Sequence, residues 1–264
     1  MIVFLKALEQ AKKLILEDKQ LMKNIELIAL LGSVADKEAI PNYSDIDLLV
    51  MPKTDNFGRF SMSVINKLKH KANDVSAKFD VNLSILTFTR DDLETHIDKE
   101  FLTHFSFRNT IYAASGETLE KICKDILLKR GCSKKEIREL IIRKSRWVRF
   151  NITRKYISKN KYNTKNYVRE YGRELVDRIF QISDWCLIYD NIWSKTKKGI
   201  KDNIVSRYKT MFDIEKIEQA YKIRKEWNEI NNTSLENYFP AGIEYINQVV
   251  AHIIKKHINN KDKT

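Results

Sequence analysis

Three cysteines, three prolines and seven glycines in 264 residues leave little material for a disulfide scaffold, a thiolate metal cluster or a loop-rich architecture. Cys123, Cys132 and Cys186 are odd in number and not closely spaced, so they are expected to be reduced structural thiols. The five histidines are scattered; His104 and His252 sit in partly apolar surroundings, where a packing role is expected. No apolar run approaches the roughly 20 residues that span a bilayer, and no membrane partner is expected. Met1 to Lys19 reads as an amphipathic helix and not as a secretory leader, which makes the cytoplasm the expected compartment. The other scarcity is acid, with 35 Asp and Glu against 48 Lys and Arg and a net charge of +13. The imbalance is local. Lys121 to Arg173 holds 18 Lys or Arg and only four acids, so the remainder is close to neutral.

What the chain does contain is concentrated between residues 25 and 86. Ile25 to Leu31 is an apolar run that stops at Gly32, as a buried strand ending in a tight turn would. Glycine there lets the backbone approach a ligand, and Ser33 adds a hydroxyl and an amide at the start of a helical turn, which suits a phosphate. Pro41 to Ser44 supplies turn chemistry. Asp45 to Val50 then reads as a second strand with Ile46, Leu48 and Val50 on one face, which puts Asp45 and Asp47 on the other. Carboxylates one strand period apart lie roughly 6 to 7 Å from each other. That is close enough to share divalent cations, and magnesium is the cation that prefers carboxylate and phosphate oxygens. Phe79 to Leu86 alternates as a third strand, with Asp80 expected on the same face as Asn82 and Ser84, where it would supply a third carboxylate for a two-ion site.

The order of apolar strand, Gly-Ser, spacer, Ser-Asp-x-Asp and a later strand opening on an acid resembles the DNA polymerase β-like nucleotidyltransferase superfamily, and within it the kanamycin (aminoglycoside) nucleotidyltransferases. Asp80-Val81-Asn82-Leu83, Phe101-Leu102-Thr103-His104, Gly116 to Lys121, Ser234 to Tyr238 and Gly242-Ile243-Glu244 are similar to further family segments. The resemblance is strongest over residues 25 to 121. It implies an Mg-dependent transfer of a nucleoside monophosphate from an NTP, ATP by expectation, to a hydroxyl of a small aminoglycoside-like acceptor. Asp45, Asp47 and Asp80 would hold two magnesium ions, and Gly32, Ser33 and Ser44 would bind nucleotide. The resemblance also implies a homodimer. Two positions depart from the pattern. Where the family often has an arginine after Gly-Ser, this chain has Asp36 and then Lys37; Lys37 and Arg146 are the candidate cations for the triphosphate. At the family's general-base position stands Ile142, and Glu139, one turn earlier and four residues before Arg143, is the candidate base; a plain surface ion pair is the competing reading.

The expected fold class is α+β, with a nucleotidyltransferase core of mixed sheet and flanking helices over residues 1–125 and a C-terminal helical bundle over 126–264. Ser133-Lys134-Lys135-Glu136 has the form of a capping box, and helical periodicity runs through Tyr167–Tyr189, Ile214–Ile230 and Ala241–Ile258. The active site is expected in the cleft between the two halves. Two further readings stand beside the small-molecule one. The basic stretch 121–173 interleaves arginine with Trp147, Phe150 and Tyr156, as an RNA-binding surface would, which makes RNA or a tRNA end a second candidate acceptor. The third reading is a non-catalytic module that binds nucleotide or a protein partner.

Overall fold

The apolar run Ile25–Leu31 forms strand β1, and the alternating segment Ile46–Pro52 forms β2, paired antiparallel to it. These two strands are the centre of a four-stranded mixed sheet in a computed structural model, which describes residues 1–105, 108–131, 134–158 and 166–261. Strand β3 (Leu83–Thr87) runs parallel to β2, and β4 (Asn109–Ala113) runs antiparallel to β1, giving the order β3-β2-β1-β4. The chain divides into two compact units, Met1–Cys132 and Ser133–Thr264.

In the first unit both sheet faces are covered, which is why β1 and β2 are apolar almost throughout instead of alternating. Helix α1 (Ile2–Leu16) turns Phe4, Ala7, Leu8, Ala11 and Ile15 inward at helical spacing. With Val64, Leu68, Ala72 and Val75 of α4 (Met62–Phe79) they pack on Ile46, Leu48 and Val50. The short helices α2 (Lys19–Met22) and α3 (Gly32–Ala35) flank β1. On the opposite face Leu27, Ala29, Leu49 and Met51 meet Leu102 and Phe105 of α5 (Lys99–Phe105) and Leu119, Ile122 and Ile126 of α6 (Leu119–Arg130). Because α6 contributes to this core, the first unit extends beyond residue 125.

The second unit is helical: α7 (Lys134–Ile157), α8 (Tyr167–Tyr189), α9 (Lys197–Tyr208), α10 (Ile214–Lys225) and α11 (Asn232–Lys261). Helices α7, α9, α10 and α11 all pack on α8, which is buried from Tyr171 to Tyr189 over most of its circumference. Gly172 and Gly242 permit the closest approach of α8 and α11, since a Cβ at Gly172 would stand 2.5 Å from Leu235. Helix α11 starts earlier than its apolar periodicity indicates, because the Asn231 side chain accepts a hydrogen bond from the Ser234 amide and caps it. Ser133 and Cys132 lie outside the described residues. Cys123 and Cys186 are buried, and burial pushes both thiols up to about 12, as structural thiols require. Among the described residues no helix is long and apolar enough to cross a membrane.

Candidate functional site

The turn after β1 and the start of β2 are brought together by antiparallel pairing, which sets Leu31 opposite Asp47. Gly32 has φ +66°, and a Cβ built on it would lie 2.3 Å from Oδ2 of Asp47, so the Asp47 carboxylate rests directly against the glycine backbone. Glycine is favoured there for two independent reasons: the left-handed conformation strains any other residue, and a Cβ would have to displace the Asp47 carboxylate. Ser33 follows in the first turn of α3, whose leading amides have no acceptor within the helix. Asp45 immediately precedes β2, and strand parity puts it on the same side as Asp47; both are half-buried and both have partners. The structure thus assembles Gly32, Ser33, Asp45 and Asp47 at one end of the sheet.

Asp80 is placed differently from its expected strand position. Helix α4 continues through Phe79, and Asp80 becomes its C-cap in the left-handed region at φ 52°, exposed to solvent. The strand begins only at Leu83, whose amide donates to Oγ of Ser76 at 3.1 Å. The parallel register sets Ser84, not an acid, opposite Asp47. Among the described residues no three His, Cys, Asp or Glu side chains form a group able to hold a metal ion.

The remaining expected nucleotide contacts are dispersed. Ser44 closes its own loop, its Oγ accepting from the Ile40 amide at 3.0 Å. Lys37 is exposed, with its backbone at φ 60°. A cation near the Gly-Ser turn comes instead from a residue that sequence reasoning missed, Arg108, one position before β4. Since Leu30 pairs with Asn109, Arg108 sits beside the end of β1, and its guanidinium donates to the Asp36 carboxylate at the end of α3. Its side chain is only 15% exposed. The signal available in the sequence was the unusual acid at position 36, which needs a cationic neighbour; which cation supplies it depends on strand pairing.

In the second unit Glu139 and Arg146 both lie exposed on α7, and Ile142 is buried among core residues. Among the described residues Glu139 and Arg143 form no ion pair. Of the acids between 170 and 177, Glu174 is neutralised by Lys155 at 2.6 Å and by Arg178 at 3.8 Å.

No protein-family model matches this chain, and no curated protein matches it significantly.

Proposed function

We propose that this protein is a nucleotidyltransferase that moves a nucleoside monophosphate from Mg·NTP, in first place Mg·ATP, to a hydroxyl of a small acceptor of the aminoglycoside type: the acceptor oxygen bonds to the α-phosphorus, the α–β phosphoanhydride bond breaks and pyrophosphate leaves. The observation that carries this reading is the contact between the Gly32 backbone and the Asp47 carboxylate, with Ser33 and Asp45 alongside. A phosphate chain and the cation that travels with it need that combination: backbone open to close approach, amides facing the anion and carboxylates for the metal.

Two carboxylates, completed by phosphate oxygens and water, are a donor set that suits one magnesium ion. Asp45 and Asp47 would hold it; a second ion would call on Asp80, whose place at the cap of α4 separates it from the strand register of Asp47. When bound, magnesium neutralises the phosphates and lowers the pKa of the acceptor hydroxyl. Gly32 and Ser33 admit and orient the triphosphate. Arg108, held by Asp36, supplies positive charge where the family resemblance places an arginine after Gly-Ser. Lys37 and Arg146 are further candidate cations for the triphosphate, and Glu139 is the proposed base for the acceptor proton.

The test is transfer from α-labelled ATP with magnesium to a panel of aminoglycosides, with total cellular RNA in parallel. Label on an aminoglycoside is expected, and Asp47→Asn is expected to abolish it while leaving the circular dichroism spectrum and thermal midpoint close to those of the parent. Transfer at full rate by Asp47→Asn would remove Asp47 from the chemistry and the proposal with it.

A further inference from the structure

Helix α7 divides by direction. Ile141, Ile142, Ser145, Val148 and Ile152 are buried, which anchors one side of the helix in the core of the second unit. The opposite side carries Arg143, Arg146, Trp147, Phe150, Arg154 and Ile157, which fall within one third of the helical circumference at 3.6 residues per turn. Trp147 is 60% exposed and Phe150 61%. Trp147 and Phe150, three residues apart on one face with exposed Ile157 further along, form an open apolar strip, and strips of this kind mark interaction sites. Among the described residues neither ring contacts another aromatic ring, and Arg143, Arg146, Arg154 and the neighbouring Arg149 make no side-chain hydrogen bond or ion pair. Lys155 behaves differently: one residue from Arg154 but on another side of the helix, it is paired with Glu174.

Three unneutralised guanidiniums, Arg143, Arg146 and Arg154, beside two open rings specify the chemistry of the occupant. A second copy of this chain would bring the same cations face to face across a two-fold interface. A bilayer would find too few apolar residues on a helix whose other side is held in a core. A chain that alternates phosphates with flat, stackable rings satisfies both halves of the surface at once. We infer that this face of α7 binds single-stranded nucleic acid, with Arg143 and Arg154 on phosphates and Trp147 and Phe150 stacked on bases. From Arg143 to Arg154 the surface runs roughly 16 Å along the helix. Arg146, a candidate cation for the triphosphate, is left unchanged in the test, and binding is read without magnesium or nucleotide, so its failure and the failure of nucleotidyl transfer are distinguishable.

The experiment uses the full chain and fluorescence anisotropy of labelled oligouridine and oligothymidine of about twelve nucleotides at about 50 mM salt. Binding is expected, with affinity falling steeply as salt rises. Arg143→Gln combined with Arg154→Gln should reduce the log–log salt slope by roughly 1.4, about 0.7 for each phosphate no longer neutralised. Trp147→Ala and Phe150→Ala should each weaken binding about tenfold with the slope unchanged. Their thermal midpoints should stay at the parent value, because both side chains are exposed. Preference for oligouridine or for oligothymidine identifies the nucleic acid as RNA or DNA, and either result supports the site. Parent-level binding by the Trp147 and Phe150 variants would overturn it. So would oligoglutamate or anionic phosphatidylserine vesicles binding as tightly as the oligonucleotides, since charge alone, or a membrane, would then account for the surface.

Discussion

Gly32 and Gly116 both have φ above +60°, yet they sit in different surroundings. A Cβ at Gly116 meets nothing within 4 Å, whereas one at Gly32 would collide with the Asp47 carboxylate. Alanine at either position adds backbone strain of about 1 to 2 kcal/mol, read as similar modest losses in denaturant midpoint. Only Gly32→Ala is expected to abolish the proposed nucleotide transfer, by displacing Asp47; equal activity losses at the two glycines would show that strain, not the closeness of the carboxylate, is what matters. His252 gives a pH prediction of the same local kind. Its ring faces Tyr208 and Phe212 edge-on, and Nε2 is buried with no hydrogen-bond partner. Burial pushes the imidazole below its ordinary value; the Lys256 and Lys255 charges act in the same direction, and Asp190 opposes them. The folded pKa is therefore the lower one, so the unfolded chain takes up the proton first as pH falls. His252 accordingly contributes stability in full above the ordinary histidine range, and that contribution is lost as pH drops below roughly 6.5. Between pH 7.5 and 5.5 the thermal midpoint of the parent should fall further than that of His252→Phe; parallel falls would exclude this histidine as the source.

At the scale of elements, the pair Asp36–Arg108 ties the end of α3 to the start of β4 across 72 positions of chain. In the proposed chemistry Arg108 meets the triphosphate and Asp36 positions it. Arg108→Ala should raise KM for ATP about tenfold or more, the cost of a charge-assisted hydrogen bond, with a smaller change in kcat. Asp36→Asn should raise KM less, and the double variant should resemble Arg108→Ala alone. A purely structural pair would instead lower the thermal midpoint and leave KM unchanged. The elements also mark where sequence reasoning holds. Strand β1 and the apolar face of β2 follow from dense Ile and Leu patterning, and α8 from a long helical period uninterrupted by proline. The third strand starts later than its alternation suggests. Val81 and Leu83 alternate convincingly, but Phe79 satisfies the α4 pattern equally well, and a left-handed Asp80 ends the helix where glycine is the usual signal.

Over the whole sequence the positive charge is uneven, concentrated between residues 121 and 173, and among the described residues Arg143, Arg146 and Arg154 on the exposed face of α7 make no ion pair. Such a field opposes compaction at low ionic strength and is screened within about 10 Å at 0.1 M salt. Raising sodium chloride from about 0.05 to 0.5 M should therefore raise the thermal midpoint by a few degrees. The rise should be smaller in the Arg143→Gln/Arg154→Gln variant. A midpoint that falls with salt would mean that attractive ion pairs such as Lys155–Glu174 and Lys256–Asp190 dominate instead.

What the sequence by itself determined was local: where apolar runs make strands and helices, which side of β2 carries Asp45 and Asp47, and which segment holds the charge. Those properties depend on neighbours two to four positions apart, through strand and helix periodicity. The tertiary structure decided what depends on distant partners. It set the Asp47 carboxylate against Gly32, put Ser84 opposite Asp47, and drew Arg108 to Asp36 through the pairing of β4 with β1. It also separated the arginines of α7 from Lys155, since a helix buries one side and leaves the other to solvent, and packing on α8 and α11 selects which side that is.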